Sequence, residues 1–158
     1  MIDFKEIVFY VLLFYLTCFL FYVSLIDYGY RSFSLKITAM HYPILILMGW
    51  LRGQSFVSIL VGFLSLFLLF YTTQLLLGSA DKIVVGGLDI VICPLFTTLF
   101  GFGSIMYITF FFIVYLLIAS FDFLSKPLKG IFYEEMPDRI PLVPVMFIPY
   151  ILLTILVF

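Results

Sequence analysis

Long apolar runs, separated by short breaks that contain polar residues or glycine, dominate this chain. A helix needs about 20 mostly apolar residues to cross the hydrocarbon core of a bilayer, and roughly 17 to 25 are tolerated. We predict one transmembrane helix from each run near this length. The predicted helices cover residues 7–26, 37–51, 56–77, 81–100, 104–124 and 140–158. This pattern predicts an all-α integral membrane protein, a bundle of about six transmembrane helices in a single transmembrane domain, 1–158.

Two of these segments contain residues that interrupt helices. The second is short and contains Pro43, and the fourth contains Gly86, Gly87 and Pro94. Such breaks are tolerated inside a membrane where neighbouring helices or water satisfy the freed backbone groups. We therefore expect the second and fourth segments to be kinked or irregular.

Composition supports the membrane assignment. The chain is 65% hydrophobic and 11% charged, whereas a soluble domain has about 25% charged residues. The net charge of −1 comes with no basic stripe outside the apolar runs, so no nucleic-acid partner is expected. Cys18 and Cys93 are interpreted as small buried apolar residues, and His41 as a neutral hydrogen-bonded or interfacial residue. Neither a metal nor any other cofactor is expected.

The distribution of Lys and Arg predicts the orientation, because short cytoplasmic loops are enriched in these residues. The first, third and fifth loops contain six bases, and the opposite side contains two. The six are Arg31, Lys36, Lys82, Lys126, Lys129 and Arg139, and the two are Lys5 and Arg52. We therefore predict a multi-pass plasma-membrane protein whose first, third and fifth loops face the cytoplasm.

This orientation brings Asp27, at the exit of the first segment, and Asp81, at the entrance of the fourth, to the same cytoplasmic face. Carboxylates at a membrane boundary are costly and usually functional, although a lone aspartate at a helix end is more often a cap or a topology marker. Two adjacent carboxylates can divide the roles of base and acid in hydrolysis. The dipole of each helix favours Asp81 as the initial base and Asp27 as the acid.

Three sequence motifs resemble the prepilin and preflagellin peptidases, which are intramembrane aspartyl proteases of the Gly-x-Gly-Asp type. The motifs are Gly78-Ser79-Ala80-Asp81, the stretch Asp-Tyr-Gly-Tyr-Arg-Ser-Phe at 27–33, and Arg-Ile-Pro-Leu-Val-Pro at 139–144. The chain departs from the family at Ser34, where proline is usual, and at Lys82, which lies one residue beyond the aspartate instead of two. It resembles a short form without the methyltransferase domain.

The resemblance implies an endopeptidase in which Asp27 and Asp81 are catalytic and Gly78, Ser79, Ala80 and Lys82 support the second aspartate. Its substrate would be a type IV pilin-like or archaellin-like precursor, in which a basic leader precedes an apolar helix. A cluster of acidic residues on the same side either attracts that leader or is an ordinary solvated loop. The cluster comprises Glu134, Glu135 and Asp138.

Two other functional classes fit the same residues. Asp27, Asp81 and Asp89 could form the proton or cation path of a small transporter or channel subunit. A noncatalytic membrane scaffold is the third class. Asp89 lies about 12 Å deeper than Asp81 if one helix carries both, and it is an alternative dyad member, a structural acid or a cation site. Asp122 is interpreted as an interfacial residue.

Overall fold

The computed structural model describes residues 3–30, 35–77, 87–132 and 142–158, and the regular structure within these ranges is helical. Within these ranges, seven α-helices and one 3-10 segment follow each other. They are α1 (Phe4–Tyr30), α2 (Leu35–Ala39), α3 (Tyr42–Leu51), α4 (Phe56–Leu77), α5 (Gly87–Thr97), the 3-10 segment (Thr98–Gly103), α6 (Ser104–Phe132) and α7 (Leu142–Val157). The prediction of an all-helical protein is confirmed.

Three stretches of the described residues are long and apolar enough to cross a membrane: Phe4–Asp27, Phe56–Leu76 and Asp89–Ser120. The third is not one straight helix, because Gly101 inside it has the non-helical angles φ 51° and ψ −121°. The apolar helix α7 is shorter. The structure therefore defines an all-helical protein with long apolar helices of the membrane-spanning kind.

The second predicted helix is divided in two. A turn at Met40 and His41 separates α2 from α3, and Pro43 lies in the first turn of α3. Proline is well accommodated there because the first turn of a helix does not need its missing N–H. The expected irregularity is confirmed, but the break precedes the proline.

The fourth predicted helix is also irregular. Among the described residues α5 begins at Gly87, contains Pro94 and gives way to the 3-10 segment after Thr97. The prediction of a helix that continues to residue 100 is therefore wrong, because the turn tightens three residues earlier. The fifth helix begins at Ser104 as predicted and continues to Phe132, eight residues beyond the predicted end.

The helices pack in a defined order. α1 lies against α3 and α7, α4 lies against α5 and the 3-10 segment, and α7 also contacts α5 and α6. α1 and α7 are antiparallel, since the rings of Phe9 and Phe158 are 5.3 Å apart at one end and Asp27 contacts Val143 at the other. We call the Phe9 end the turn end and the Asp27 end the site end.

α1 contributes one face to the core, whereas α5 and the 3-10 segment are buried at consecutive positions from Ile92 to Gly101. In α1 the buried positions recur at spacings of three and four residues, the repeat that places side chains on one face of a helix. They are Phe9, Leu13, Leu16, Leu20, Val23 and Asp27. Asp27 therefore continues the buried face of α1. The two cysteines differ: Cys93 is buried as predicted, whereas the prediction was wrong for Cys18, which lies on the exposed face of α1.

Candidate functional site

Asp27 is a buried carboxylate in the last turn of α1, with 6% of its surface exposed. Ser24, one turn earlier, is also buried, and its hydroxyl donates to the carbonyl of Leu20 in the same helix. A charged group at such a position is costly unless polar partners surround it. The site is therefore defined first by what contacts Asp27.

The first turn of α7 supplies a partner. The backbone N–H of Val143 donates to Oδ2 of Asp27 at a distance of 3.2 Å, across 116 residues of sequence. Val143 is the second residue of α7, and the N–H groups of a first turn have no acceptor within their own helix. A carboxylate is a suitable acceptor there because it also interacts favourably with the positive end of the helix dipole.

This contact changes the electrostatic picture of Asp27. Taken alone, the C-terminal end of α1 disfavours a negative charge on Asp27. The structure adds the N-terminal end of α7, which acts in the opposite direction. The assignment of Asp27 as the acid therefore cannot rest on the dipole of its own helix.

Asp89 lies at the same end of the bundle. It is half-buried in the first turn of α5, and its carbonyl accepts a hydrogen bond from the Cys93 thiol at 2.8 Å. The sulfur atoms of Cys93 and Met146 are 4.0 Å apart, which places α5 beside the first turns of α7. Asp27 on α1 and Asp89 on α5 therefore belong to two helices that both contact α7.

The other predicted site residues lie outside the described residues. These are Gly78, Ser79, Ala80, Asp81, Lys82, Glu134, Glu135 and Asp138. Asp122 lies within α6. The pairing of Asp27 with Asp81 thus stays a prediction, and so does the role of the acidic cluster.

His41 belongs to the packing of α1 and not to the site. The ring is buried and stacks on Phe19 with centroids 3.5 Å apart. Its Nδ1 lies 2.7 Å from the carbonyl oxygen of Ile37, and its Nε2 lies 3.0 Å from the hydroxyl of Tyr15. The carbonyl can only accept, so Nδ1 carries a proton and donates to it, and Nε2 shares a second hydrogen bond with the Tyr15 hydroxyl. The interpretation of His41 as a hydrogen-bonded residue is confirmed.

No site for a metal ion emerges from the side chains that the structure describes, since no three His, Cys, Asp or Glu residues are grouped to hold one. The arrangement around Asp27 is instead a buried carboxylate with a backbone donor, and Asp89 lies at the same end of the bundle. Such an arrangement suits proton transfer or the binding of a cationic group.

Comparisons with known proteins found no match for this chain among family models, curated proteins or solved structures.

One functional feature has no counterpart among the sequence predictions, the Val143 amide that donates to Asp27. A backbone donor leaves no mark in a sequence. The burial of Asp27, in contrast, follows the three- and four-residue spacing of the core positions in α1, and this spacing can be read from the sequence.

Proposed function

We propose that this chain is an intramembrane aspartyl endopeptidase that removes the basic leader from type IV pilin-like or archaellin-like precursors. In this proposal it is a multi-pass protein of the plasma membrane with about six crossings, and its site end faces the cytoplasm. The bases of the first, third and fifth loops support that orientation.

One observation carries the proposal: the hydrogen bond from Val143 to Asp27. Asp27 opens the first of the three motifs behind the resemblance, and Val143 lies in the last, at 139–144. Segments that are far apart in sequence and similar to one family's signatures therefore meet at a buried carboxylate. A meeting of this kind is expected if both segments belong to one active site.

The proposed chemistry needs two carboxyl groups. One takes a proton from the attacking water, and the other gives a proton to the amine that leaves as the peptide bond breaks. Asp27 is one of them and Asp81 is the proposed partner. A bell-shaped dependence of cleavage on pH is expected, because activity requires one protonated and one ionised group.

The test is cleavage of a synthetic precursor, a short basic leader followed by an apolar helix, in liposomes that contain the wild type or a variant. The variants are Asp27→Asn, Asp81→Asn and Asp89→Asn. Asparagine keeps an oxygen that can accept from the Val143 amide, so the fold should survive at Asp27 while proton transfer is lost. We expect both Asp27→Asn and Asp81→Asn to lower kcat by roughly 10²- to 10⁴-fold, and Asp89→Asn to change it only a few-fold.

Other outcomes redirect the assignment. Full activity of Asp27→Asn would contradict the proposal. Loss of activity in Asp27→Asn and Asp89→Asn, with Asp81→Asn active, would make Asp89 the second member of the dyad. A wild type that cleaves no precursor of this class would contradict the peptidase assignment.

The position of Asp89 favours a second candidate function, a proton- or cation-coupled transporter or channel subunit. Two acids at the same end of a bundle of apolar helices can pass or hold a cation. Proton uptake by sealed liposomes measures this function directly. Uptake that is abolished by Asp89→Asn, without any precursor cleavage by the wild type, would select it over the peptidase.

A further inference from the structure

A buried tyrosine on α6 contacts the backbone of α7 close to the candidate site. The hydroxyl of Tyr107 donates to the carbonyl oxygen of Met146 at 2.7 Å. Both residues are fully buried, with no exposed surface. A hydrogen bond in such surroundings has no water to replace it, and its loss leaves the carbonyl under-satisfied.

Proline lies close to this carbonyl. Pro149 is inside α7, three residues after Met146. Its missing N–H would have bonded to the carbonyl of Val145, and its ring crowds the same turn, so the helix is weakened next to Met146. The Tyr107 hydroxyl adds a hydrogen bond from a neighbouring helix at this weakened turn.

The chain contains a second instance of this arrangement. Pro94 lies inside α5, and the hydroxyl of Tyr42 donates to the carbonyl of Val91, three residues before that proline. The two proline-containing helices are thus each held by a tyrosine from a neighbouring helix. α7 contacts Asp27 through its first turn.

The bonded carbonyl of Met146 and the bonded amide of Val143 lie three residues apart in α7, or about 4.5 Å along the helix axis at 1.5 Å per residue. The turn between them is therefore hydrogen-bonded to both α6 and α1. We propose that Tyr107 is a positioning residue for Asp27: its hydroxyl holds the first turns of α7 so that the Val143 amide stays directed at the carboxylate. The consequence for catalysis rests on the proposed function, but the structural link does not.

The variant Tyr107→Phe tests this link by removing one oxygen atom. The ring lies in an aromatic cluster, 5.9 Å from Phe100 and 6.5 Å from Phe96 between centroids, so phenylalanine keeps the packing. Tyr150→Phe is the matched control. Tyr150 lies in the same cluster, and its hydroxyl bonds to Thr17 at 3.2 Å, but it follows Pro149 in α7.

The first measurement is hydrogen exchange of the whole chain in lipid nanodiscs. Mass spectrometry then gives the exchange rate of the α7 peptide that contains Val143. Hydrogen exchange reports local opening of a helix, so loss of the Tyr107 hydrogen bond should raise the exchange rate of this peptide. We expect roughly a five-fold increase in Tyr107→Phe, the size of one net hydrogen bond, and less than a two-fold change in Tyr150→Phe. Equal rates in wild type and Tyr107→Phe, or equal increases in both variants, would overturn the inference.

The second measurement is precursor cleavage by the same proteins. A positioning role predicts a lower kcat with unchanged KM in Tyr107→Phe, together with a displaced pH profile, and neither change in Tyr150→Phe. If exchange rises as expected but the wild type cleaves nothing, the link to Asp27 stands and the peptidase proposal falls. If exchange rises and the wild type cleaves, but kcat and the pH profile of Tyr107→Phe match those of the wild type, the positioning role is overturned.

Discussion

The two ends of the bundle are built by different means. At the site end, a buried carboxylate meets a backbone amide from a helix that is distant in sequence. At the turn end, backbone meets backbone: a Cβ atom placed on Gly62 would lie 2.8 Å from the carbonyl oxygens of both Thr97 and Thr98. The site end is held by a buried polar side chain, whereas the turn end is held by two backbone segments in close contact.

This difference separates chemistry from stability. A change at the turn end adds atoms where two segments of backbone already touch, and it should lower the free energy of unfolding without altering the groups around Asp27. The substitution Asp27→Asn should do the opposite. Substitutions at the turn end therefore test whether stability can change there while the chemistry at Asp27 stays the same.

The largest effect is expected from Gly101→Ala. Gly101 has a φ of 51°, and an added Cβ would lie 2.1 Å from the hydroxyl oxygen of Ser58. Strain of this kind costs about 1 to 3 kcal/mol, and the overlap adds to it. We expect a loss of about 4 kcal/mol in the free energy of unfolding, measured by titration with sodium dodecyl sulfate in mixed micelles.

Gly53 and Ser58 provide the controls for this prediction. Gly53 has a φ of 68° with nothing within 4 Å of an added Cβ, so Gly53→Ala should show backbone strain alone, about 1 kcal/mol. Combining Gly101→Ala with Ser58→Ala should recover part of the loss, as contacting residues are not additive. Equal losses for Gly53→Ala and Gly101→Ala would show that close packing plays no part at the turn end.

A smaller loss is expected from Gly62→Ala. The atoms nearest to an added Cβ are all backbone atoms, the two carbonyl oxygens and the amide nitrogen of Gly101 at 3.0 Å, so no side chain can rotate away. α4 and the 3-10 segment must separate, at a cost of about 2 to 3 kcal/mol. The same detergent titration measures it, and precursor cleavage by the folded fraction should match that of the wild type. A variant that is as stable as the wild type would contradict the packing of these elements.

The helix boundaries that sequence predicted well are those set by local residues. The prediction for the third helix, residues 56–77, coincides with α4, and the fifth begins at Ser104 as expected. Length of an apolar run and the polar or glycine residues that flank it are local properties, and they determine these limits. The division before α3 was also signalled, since proline is favoured in the first turn of a helix and Pro43 lies in the first turn of α3.

The turn end and the site end were harder to predict, for one physical reason. Both depend on backbone atoms from distant segments, the amide of Val143 in one case and the carbonyls of Thr97 and Thr98 in the other. Backbone groups are the same in every residue, so the sequence does not mark which will be used. Asp27 was recognised because its side chain is unusual in an apolar helix, and its partner was not.

The smallest effect is expected at the surface of the turn end, where Arg52 lies over two aromatic rings. Its guanidinium carbon is 4.1 Å from the centroid of Phe158 and 5.2 Å from that of Phe9. Exposed cation–π contacts contribute about 0.5 to 1 kcal/mol, so Arg52→Gln should lower the free energy of unfolding by about that amount. Arg52→Lys keeps the charge but loses the flat surface that stacks on a ring, so its free energy of unfolding should lie between those of the wild type and Arg52→Gln. Cleavage should be unchanged in both variants, because Asp27 and Val143 lie at the ends of α1 and α7 that are distant from Arg52. A loss of activity at constant stability would show that the two ends are coupled.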